Sequence, residues 1–161
     1  MAPGIVVRRA EEHDLAAVAP LAGQLVRLHH ATDPARFFLP DRVEEGYARW
    51  LSREIARPEA VVLVAPRGPA VVGYAYGTLE GRDWNMLLDT HGAVHDIFVA
   101  EEARRGGVGR MLVTAVAEAL ESLGAGRIVL STMVGNEVAQ RLFRACGFRS
   151  TMVEMTRDAG A

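Results

Sequence analysis

The chain has 161 residues, of which 50% are hydrophobic and 24% are charged. This length fits one domain around one core, which we expect to span residues 1–161, and the composition excludes a disordered or fibrous protein. Every basic residue is Arg, and 18 basic against 20 acidic residues leave a net charge of −2, which argues against non-specific binding of nucleic acid.

A single cysteine, Cys146, cannot form an intramolecular disulfide, and no group of Cys and His residues has the spacing of zinc ligands. We therefore expect a reducing compartment and no bound metal. The first residues lack the basic and then apolar profile of a signal peptide, and no apolar run reaches the ~18 residues of a membrane span. The sequence thus predicts a cytoplasmic protein with no membrane partner.

The N-terminal third predicts one strand and two helices. Residues 5–7 are β-branched and apolar, as in a short strand. A helix follows, and its apolar residues recur every three or four positions: Leu15, Val18, Leu21, Leu25 and Leu28. Pro20 should kink this helix. Asp41 and Glu44 resemble a capping pair at the start of a second helix, which continues to Ile55.

The middle third predicts three strands. Residues 61–64 and 70–79 have the apolar patterning of strands, and the turn at 66–69, with two prolines and a glycine, joins them as a hairpin. A polar loop at 81–92 separates the hairpin from a third strand at 93–100.

The C-terminal third predicts a long helix opened by a glycine-rich turn, a strand at 128–130, a short helix at 136–145 and a last strand at 148–156. Gly147 should end the short helix. The predicted order is β-α-α-β-β-β-α-β-α-β, which is typical of an α/β or α+β layered domain.

The glycine-rich turn is the most informative motif, and it reads Arg104-Arg105-Gly106-Gly107-Val108-Gly109-Arg110. Glycines at a helix start let a ligand approach the backbone, and the free amides and the helix dipole there favour an anion such as a pyrophosphate. A P-loop is excluded because the chain has no lysine, and a dinucleotide fingerprint is excluded because Leu112 replaces its third glycine. From these residues alone, a simple tight turn before a helix is an equally good interpretation.

The spacing Arg104-x-x-Gly107-x-Gly109 resembles the R-x-x-G-x-G/A signature of the GNAT family of acyl-CoA-dependent N-acetyltransferases. Three further segments are similar to motifs of that family, namely its fourth strand, its second motif and the start of its final hairpin: His95-Asp96-Ile97-Phe98-Val99, Asn136 with Ala139 and Leu142, and Gly147-Phe148. The motif resemblance covers about 93–148, and the order of elements is similar over 5–157.

The resemblance implies a mixed, V-splayed sheet with acetyl-CoA in the cleft between the fourth and fifth strands. The pyrophosphate would bind the backbone amides of five residues: Arg105, Gly106, Gly107, Val108 and Gly109. The backbone of three others would pair with the pantetheine arm: Ile97, Phe98 and Val99. The Arg104 and Arg110 side chains would meet phosphates or simply face solvent. Asn136 would hydrogen-bond the cofactor arm, cap the following helix, or do both.

One residue departs from the family pattern, because Phe143 stands where many relatives have a tyrosine that is taken to protonate the departing thiolate. The pKa of a thiol, ~8.5, is ~1.5 units above neutral pH, so releasing CoA as the thiolate rather than as the thiol costs roughly 2 kcal/mol. An alkylammonium with a pKa of ~10.4 costs roughly 4.6 kcal/mol to deprotonate at neutral pH. Removing the amine proton is therefore the larger cost, and the missing tyrosine does not exclude catalysis.

The candidate bases are His95 and Asp96 on the fourth strand, with His91 as a reserve just upstream. Polyamine acetyltransferases, which this chain resembles on this strand, have Glu-Asp at the positions of His95 and Asp96. Strand alternation predicts that His95 and Asp96 lie on opposite faces, so that at most one faces the acceptor cleft. A water chain is an alternative base. The acceptor pocket is expected among residues of the variable region: His29, His30, Asp33, Phe37, Phe38, Tyr47 and Trp50.

The sequence thus predicts an acetyl-CoA-dependent N-acetyltransferase that transfers the acetyl group to a primary amine by direct attack on the thioester. The acceptor is a small molecule or a protein N-terminus. The alternative is a non-catalytic acyl-CoA-binding module, for which Phe143 is the main support. A homodimer formed through strand edges or the last hairpin is consistent with the resemblance alone.

Overall fold

The fold is organised around a five-stranded sheet whose strands lie side by side in chain order. The computed structural model describes residues 4–161. The strands are β1 (Arg8–Arg9), β2 (Ala60–Arg67), β3 (Ala70–Glu80), β4 (His91–Val99) and β5 (Ile128–Leu130). The helices are α1 (Leu15–Thr32), α2 (Val43–Glu54), α3 (Val108–Ser122) and α4 (Glu137–Ala145). The first four strands are antiparallel to their neighbours, and β5 is parallel to β4. The predicted mixed α/β fold is confirmed.

Each face of the sheet buries a separate apolar cluster, because successive side chains of a strand point to opposite faces. In β2, Val61 and Leu63 pack towards α3, whereas Val62 and Val64 pack towards α1 and α2. On β3, Tyr74 and Tyr76 share the second face, together with Phe98 of β4. The helices therefore form layers on both sides of the sheet.

The N-terminal strand begins later than the sequence predicts. Ile5 is buried in the core on the α3 side, but pairing with β2 is confined to Arg8 and Arg9. Ile5 and Val7 therefore contribute to the core without belonging to a strand, whereas Val6 is exposed. The helix α1 then continues through Pro20 to Thr32.

The predicted capping pair at the start of α2 is wrong. The N-cap is Arg42, in a left-handed conformation with φ 52°, and no side chain caps the helix. The Glu44 carboxylate instead accepts a hydrogen bond from Arg27 of α1 at 2.5 Å. A partner on a neighbouring helix has replaced the local contact that the spacing suggested.

The predicted last strand at 148–156 is also wrong. Gly147, with φ 91°, ends α4 as predicted, but none of the described residues that follow belongs to a strand. Met152, Val153 and Met155 are exposed. Their alternating pattern predicts a strand, yet a strand needs a neighbouring edge, which this segment does not find within the described chain. No helix in residues 4–161 has the length and apolar character needed to cross a bilayer.

A cleft opens where β4 and β5 diverge. The two strands pair only over Gly92–Val94, which face Ile128–Leu130. Residues 96–99 of β4 are paired with β3 on one side and have no strand of the described chain on the other. This divergence is the predicted V-shaped splay, and it leaves an open backbone edge beside the start of α3.

Candidate active site

The glycine-rich turn ends in free backbone donors at the start of α3. Gly107 is the N-cap of this helix with φ 84°, a conformation that suits glycine, and Arg105 is also left-handed with φ 64°. Within residues 4–161, no backbone or side-chain acceptor bonds the N–H groups of residues 105–110. Such a row of donors at the positive end of a helix is suited to an anion.

The other groups of the turn have partners inside the protein. A Cβ on Gly109 would lie 3.1 Å from Leu142, so this glycine lets α4 pack closely against α3. The Arg104 side chain donates from Nε to the carbonyl of Val99 at 3.0 Å, and Arg110 donates to the carbonyl of Ala145 at 3.3 Å. The groups left free to receive an anion are therefore backbone amides rather than the Arg104 and Arg110 side chains.

Asn136 is the N-cap residue of α4. Its Oδ1 accepts from the backbone N–H of Ala139 at 3.1 Å, so the predicted capping role is present. An amide side chain that accepts through its oxygen still has its NH₂ group to donate to a ligand. Both predicted roles of Asn136 are therefore compatible.

Phe143 supplies no proton donor to the cleft. Its ring packs near that of Phe148, with centroids 6.1 Å apart. The three tyrosines of the chain are instead on α2 and β3, and their side chains lie on the face of the sheet opposite α3: Tyr47, Tyr74 and Tyr76. None of them replaces a tyrosine at this position on α4.

His95 and Asp96 lie together because β4 is irregular between them. Tyr76 of β3 pairs with Asp96, and Gly77 pairs with Val94, so His95 is the extra residue of a β-bulge. A bulge breaks the alternation of side chains. The expectation that the two residues face opposite sides is therefore wrong, since both line one cavity of about 320 Å³.

The carboxylate of Asp96 is held by tyrosine hydroxyls inside this cavity. Tyr74 donates to Oδ2 at 3.0 Å, and Tyr47 also interacts with the carboxylate. Burial raises the pKa of Asp96 above its ordinary value, although the hydrogen bonds from both tyrosines partly offset this. A carboxylate with a raised pKa is a stronger base than an exposed one.

His95 is oriented by a hydrogen-bonded chain along β3. Its Nε2 lies 2.8 Å from the hydroxyl of Thr78, and that hydroxyl donates to Glu80 at 2.5 Å. Because a hydroxyl has one proton to donate, this arrangement assigns the imidazole proton to Nε2 and leaves Nδ1 as an acceptor. The ring also stacks on Tyr76, with centroids 5.2 Å apart. The geometry thus fixes the orientation of the ring, with the Nε2–H directed towards Thr78.

His91 is separated from this pair at the beginning of β4. It is buried and does not line the cavity, and its Nδ1 bonds the carbonyl of Asp89 at 2.8 Å. The structure thus brings two of the predicted base candidates together and leaves the third apart. Among residues 4–161, no three side chains of His, Cys, Asp or Glu are grouped as a metal site requires.

The cavity walls include several residues expected from the variable region: His29, Phe37, Phe38 and Tyr47. Trp50 lies behind this wall, in edge contact with Tyr47 and Tyr76. His30 and Asp33 instead fold the loop, because they bond the backbone of Phe37 and Arg36.

Sequence reasoning missed the polar residues that support the cavity. Tyr74, Tyr76 and Thr78 alternate along β3, so their period of two could have shown a shared face. Glu54, at the end of α2, is buried and accepts hydrogen bonds from Tyr76 and Arg57. Burial alone would raise the pKa of Glu54, but these two donors outweigh it and lower that pKa. No local pattern pointed to this contact.

Comparison with known proteins gives a consistent result. The model of the Acetyltransferase (GNAT) family matches residues 25–148. A thialysine N-epsilon-acetyltransferase of Bos taurus is 26% identical over 149 residues, covering 89% of this chain and 83% of the bovine protein. An uncharacterized N-acetyltransferase of Bacillus subtilis is 24% identical over 144 residues, covering 88% of each chain.

Solved structures share the fold at low sequence identity. A mutant protein from Bacillus halodurans superposes with a TM-score of 0.81 at 20% identity, covering 95% of this chain and 98% of that one. An aminoglycoside N-acetyltransferase in complex with CoA superposes with a TM-score of 0.77 at 18% identity, covering 100% of both chains.

Proposed function

The chain belongs to the GNAT family of acetyltransferases, and from this membership we propose that it transfers the acetyl group of acetyl-CoA directly to a primary amine. One observation carries the proposal: three features follow one another along β4 and the turn after it. They are a cavity with a carboxylate, the open edge of β4 and the free amides at the start of α3. This is the arrangement that a phosphate-bearing thioester and an amine need in order to meet.

On the donor side, the backbone does most of the binding. The N–H groups of residues 105–109 would hold the pyrophosphate, and the open edge of Ile97, Phe98 and Val99 would pair with the amides of the pantetheine arm. Asn136 would donate to the same arm through its side-chain amide. Bound in this way, acetyl-CoA supplies a thioester beside residues 95–99.

On the acceptor side, Asp96 and His95 would accept the proton of the amine. An amine attacks as the free base, so its ammonium form must first lose a proton. The amine nitrogen then forms the new C–N bond and gives up a second proton to solvent, while the C–S bond breaks and its electron pair leaves with sulfur. Phe143 cannot protonate that sulfur, so CoA leaves as the thiolate and takes its proton from solvent.

A non-catalytic acyl-CoA-binding module is the alternative, and Phe143 is the observation that favours it. The two predict different outcomes in an assay that follows free thiol with acetyl-CoA and a panel of small amines and peptides with free N-termini. The proposal predicts thiol release that requires an amine. Tight binding of CoA in calorimetry without amine-dependent release from any acceptor would support the binding module instead.

We also propose that the protein forms a homodimer through its C-terminal region. The apolar residues exposed there are Val134, Val138, Met152, Val153 and Met155. The segment after α4 has a strand-like alternation, and β5 has no strand of the described chain on its outer side. A second copy of the chain offers both complementary features, since each copy has a free segment and a free edge.

A further inference from the structure

The acceptor cavity has opposite charges among its lining residues. Asp96 is half-buried and held by Tyr74, whereas Arg36 comes from the loop after α1. The volume of about 320 Å³ is near the lower limit of ~300–1,000 Å³ typical of small-molecule sites. The cavity therefore suits a small acceptor with two unlike polar ends.

Arg36 already binds a carboxylate in this structure. Its Nε and Nη2 both donate to Glu154 of the C-terminal segment, the second at 3.1 Å. Its guanidinium also lies 4.8 Å from the centre of the Phe37 ring, a cavity wall. Paired donors on a planar carboxylate are the arrangement by which Arg recognises carboxylate ligands.

Glu154 is held loosely enough to be displaced. Its side chain is 63% exposed, and an exposed ion pair of this kind contributes little to stability. Within the described chain, residues 149–157 make no backbone hydrogen bonds to other elements. The Arg36 contact is therefore replaceable by a carboxylate that arrives with the acceptor.

We propose that the acceptor is a small amino acid whose side-chain amine lies at Asp96 and whose carboxylate binds Arg36, displacing Glu154. This inference rests on the proposed acetyl transfer and names the class of amine. The ammonium group is attracted to Asp96, and the carboxylate to the guanidinium, so a plain diamine of equal length satisfies only one end.

The test compares amines that differ only by a carboxylate: lysine with cadaverine, and ornithine with putrescine. For the preferred amino acid, KM should be at least about 10-fold lower than for its diamine, since a hydrogen bond to a charged group has roughly this effect. The variant Arg36→Gln should raise KM for the amino acid by about 10- to 100-fold and change KM for the diamine by less than about 3-fold.

Arg82→Gln is the matched control. Arg82 also makes two hydrogen bonds to one carboxylate, that of Asp89, and its guanidinium lies 5.4 Å from the Trp84 ring, but it does not line this cavity. It should leave both KM values unchanged. Glu154→Gln removes the internal competitor and should lower KM for the amino acid by up to about 5-fold.

Equal KM values for both members of each pair, or an equal shift of both by Arg36→Gln, would overturn this inference and leave the acetyltransferase intact. If wild type released thiol with none of these amines or any other acceptor, the proposed function would fail as well. Acetyl-CoA affinity in each variant, measured by calorimetry, shows whether the donor site is preserved.

Discussion

Asp96 is the residue on which the proposed proton transfer depends most, because it combines a place in the acceptor cavity with a raised pKa. Asp96→Asn should lower kcat/KM by ~10²–10⁴ near neutral pH, with little change in acetyl-CoA affinity. His95→Asn should lower kcat/KM by a smaller factor than Asp96→Asn if His95 orients the acceptor without accepting its proton. A pH–rate profile of each variant with one confirmed acceptor provides the measurement.

The sign of the pH dependence follows from the raised pKa of Asp96. The carboxylate is the basic form, so the wild-type rate should fall as pH decreases through this pKa. The loss in Asp96→Asn should shrink at high pH, where the amine arrives already neutral. His91→Asn, on the same strand but outside the cavity, is the comparison. Near wild-type rates for all three variants would assign the proton to water or to another residue.

Substitutions of Phe143 test directly whether the reaction needs a side-chain acid to protonate the departing thiolate. Because a thiolate is a tolerable leaving group, Phe143→Tyr should raise kcat by less than the ~10²-fold that marks the lower end of general acid catalysis. Phe143→Ala should act differently, through lost packing against Phe148. A gain of ~10²-fold or more with tyrosine would show that the wild-type reaction lacks an acid.

At the scale of elements, the start of α3 is the expected pyrophosphate site. Gly107→Val adds a side chain at φ 84°, where a ligand must approach the backbone, and should weaken CoA binding by ~1–3 kcal/mol in calorimetry. Gly124→Val is the control, since it imposes similar strain at φ 107° just beyond the other end of α3. An unchanged dissociation constant in folded Gly107→Val would contradict the site.

The junction of β1 and α1 depends on Asp14. This buried carboxylate accepts from both Arg8 nitrogens at 2.7 and 2.9 Å and from the N–H of Glu11 at 2.8 Å. Hydrogen bonding to Arg8 lowers the pKa of Asp14 despite its burial. A lowered folded-state pKa gives stability above the unfolded pKa of ~3.9, and this stability is lost as pH falls through the folded-state value.

Asp14→Asn should therefore lower the free energy of unfolding near neutral pH by about 1–2 kcal/mol, and the deficit should disappear in acid. Urea unfolding at several pH values measures it. Asp158→Asn, in the exposed C-terminal segment, should leave the curve unchanged. A deficit that is the same at every pH would contradict the ionic origin of the effect.

At the scale of the whole molecule, the exposed C-terminal region predicts self-association. Met155 is 90% exposed, and a charge there should weaken the proposed dimer by burying an unpaired carboxylate. Met155→Glu should therefore shift sedimentation towards a single chain of 17.4 kDa. Leu87→Glu, at an equally apolar exposed position outside this region, should not. A wild-type protein that sediments as a monomer at all concentrations would contradict the dimer.

The local chemistry of the sequence was sufficient to predict most of the fold and to propose a donor site. Periodicities of two and of about 3.6 located β2 to β5 and the four helices, because burial of one face imposes them. The turn from Arg104 to Arg110 indicated an anion site at a helix start, since glycine conformations and helix amides are local properties. The family resemblance then gave that site its ligand.

The acceptor site depended on contacts that no local pattern specifies. Only the pairing of β4 with β3 shows that His95 is a bulged residue, and this bulge brings it and Asp96 into one cavity. Arg36 meets Glu154 across 118 positions of the chain, and Glu44 bonds Arg27 rather than capping its own helix. The alternation at 148–156 predicted a strand, but no edge is available to it within the described chain. Strand register and long-range ion pairs are decided by tertiary packing. The sequence by itself therefore determined the layers and the glycine-rich turn, and the tertiary structure decided which side chains line the candidate acceptor cavity.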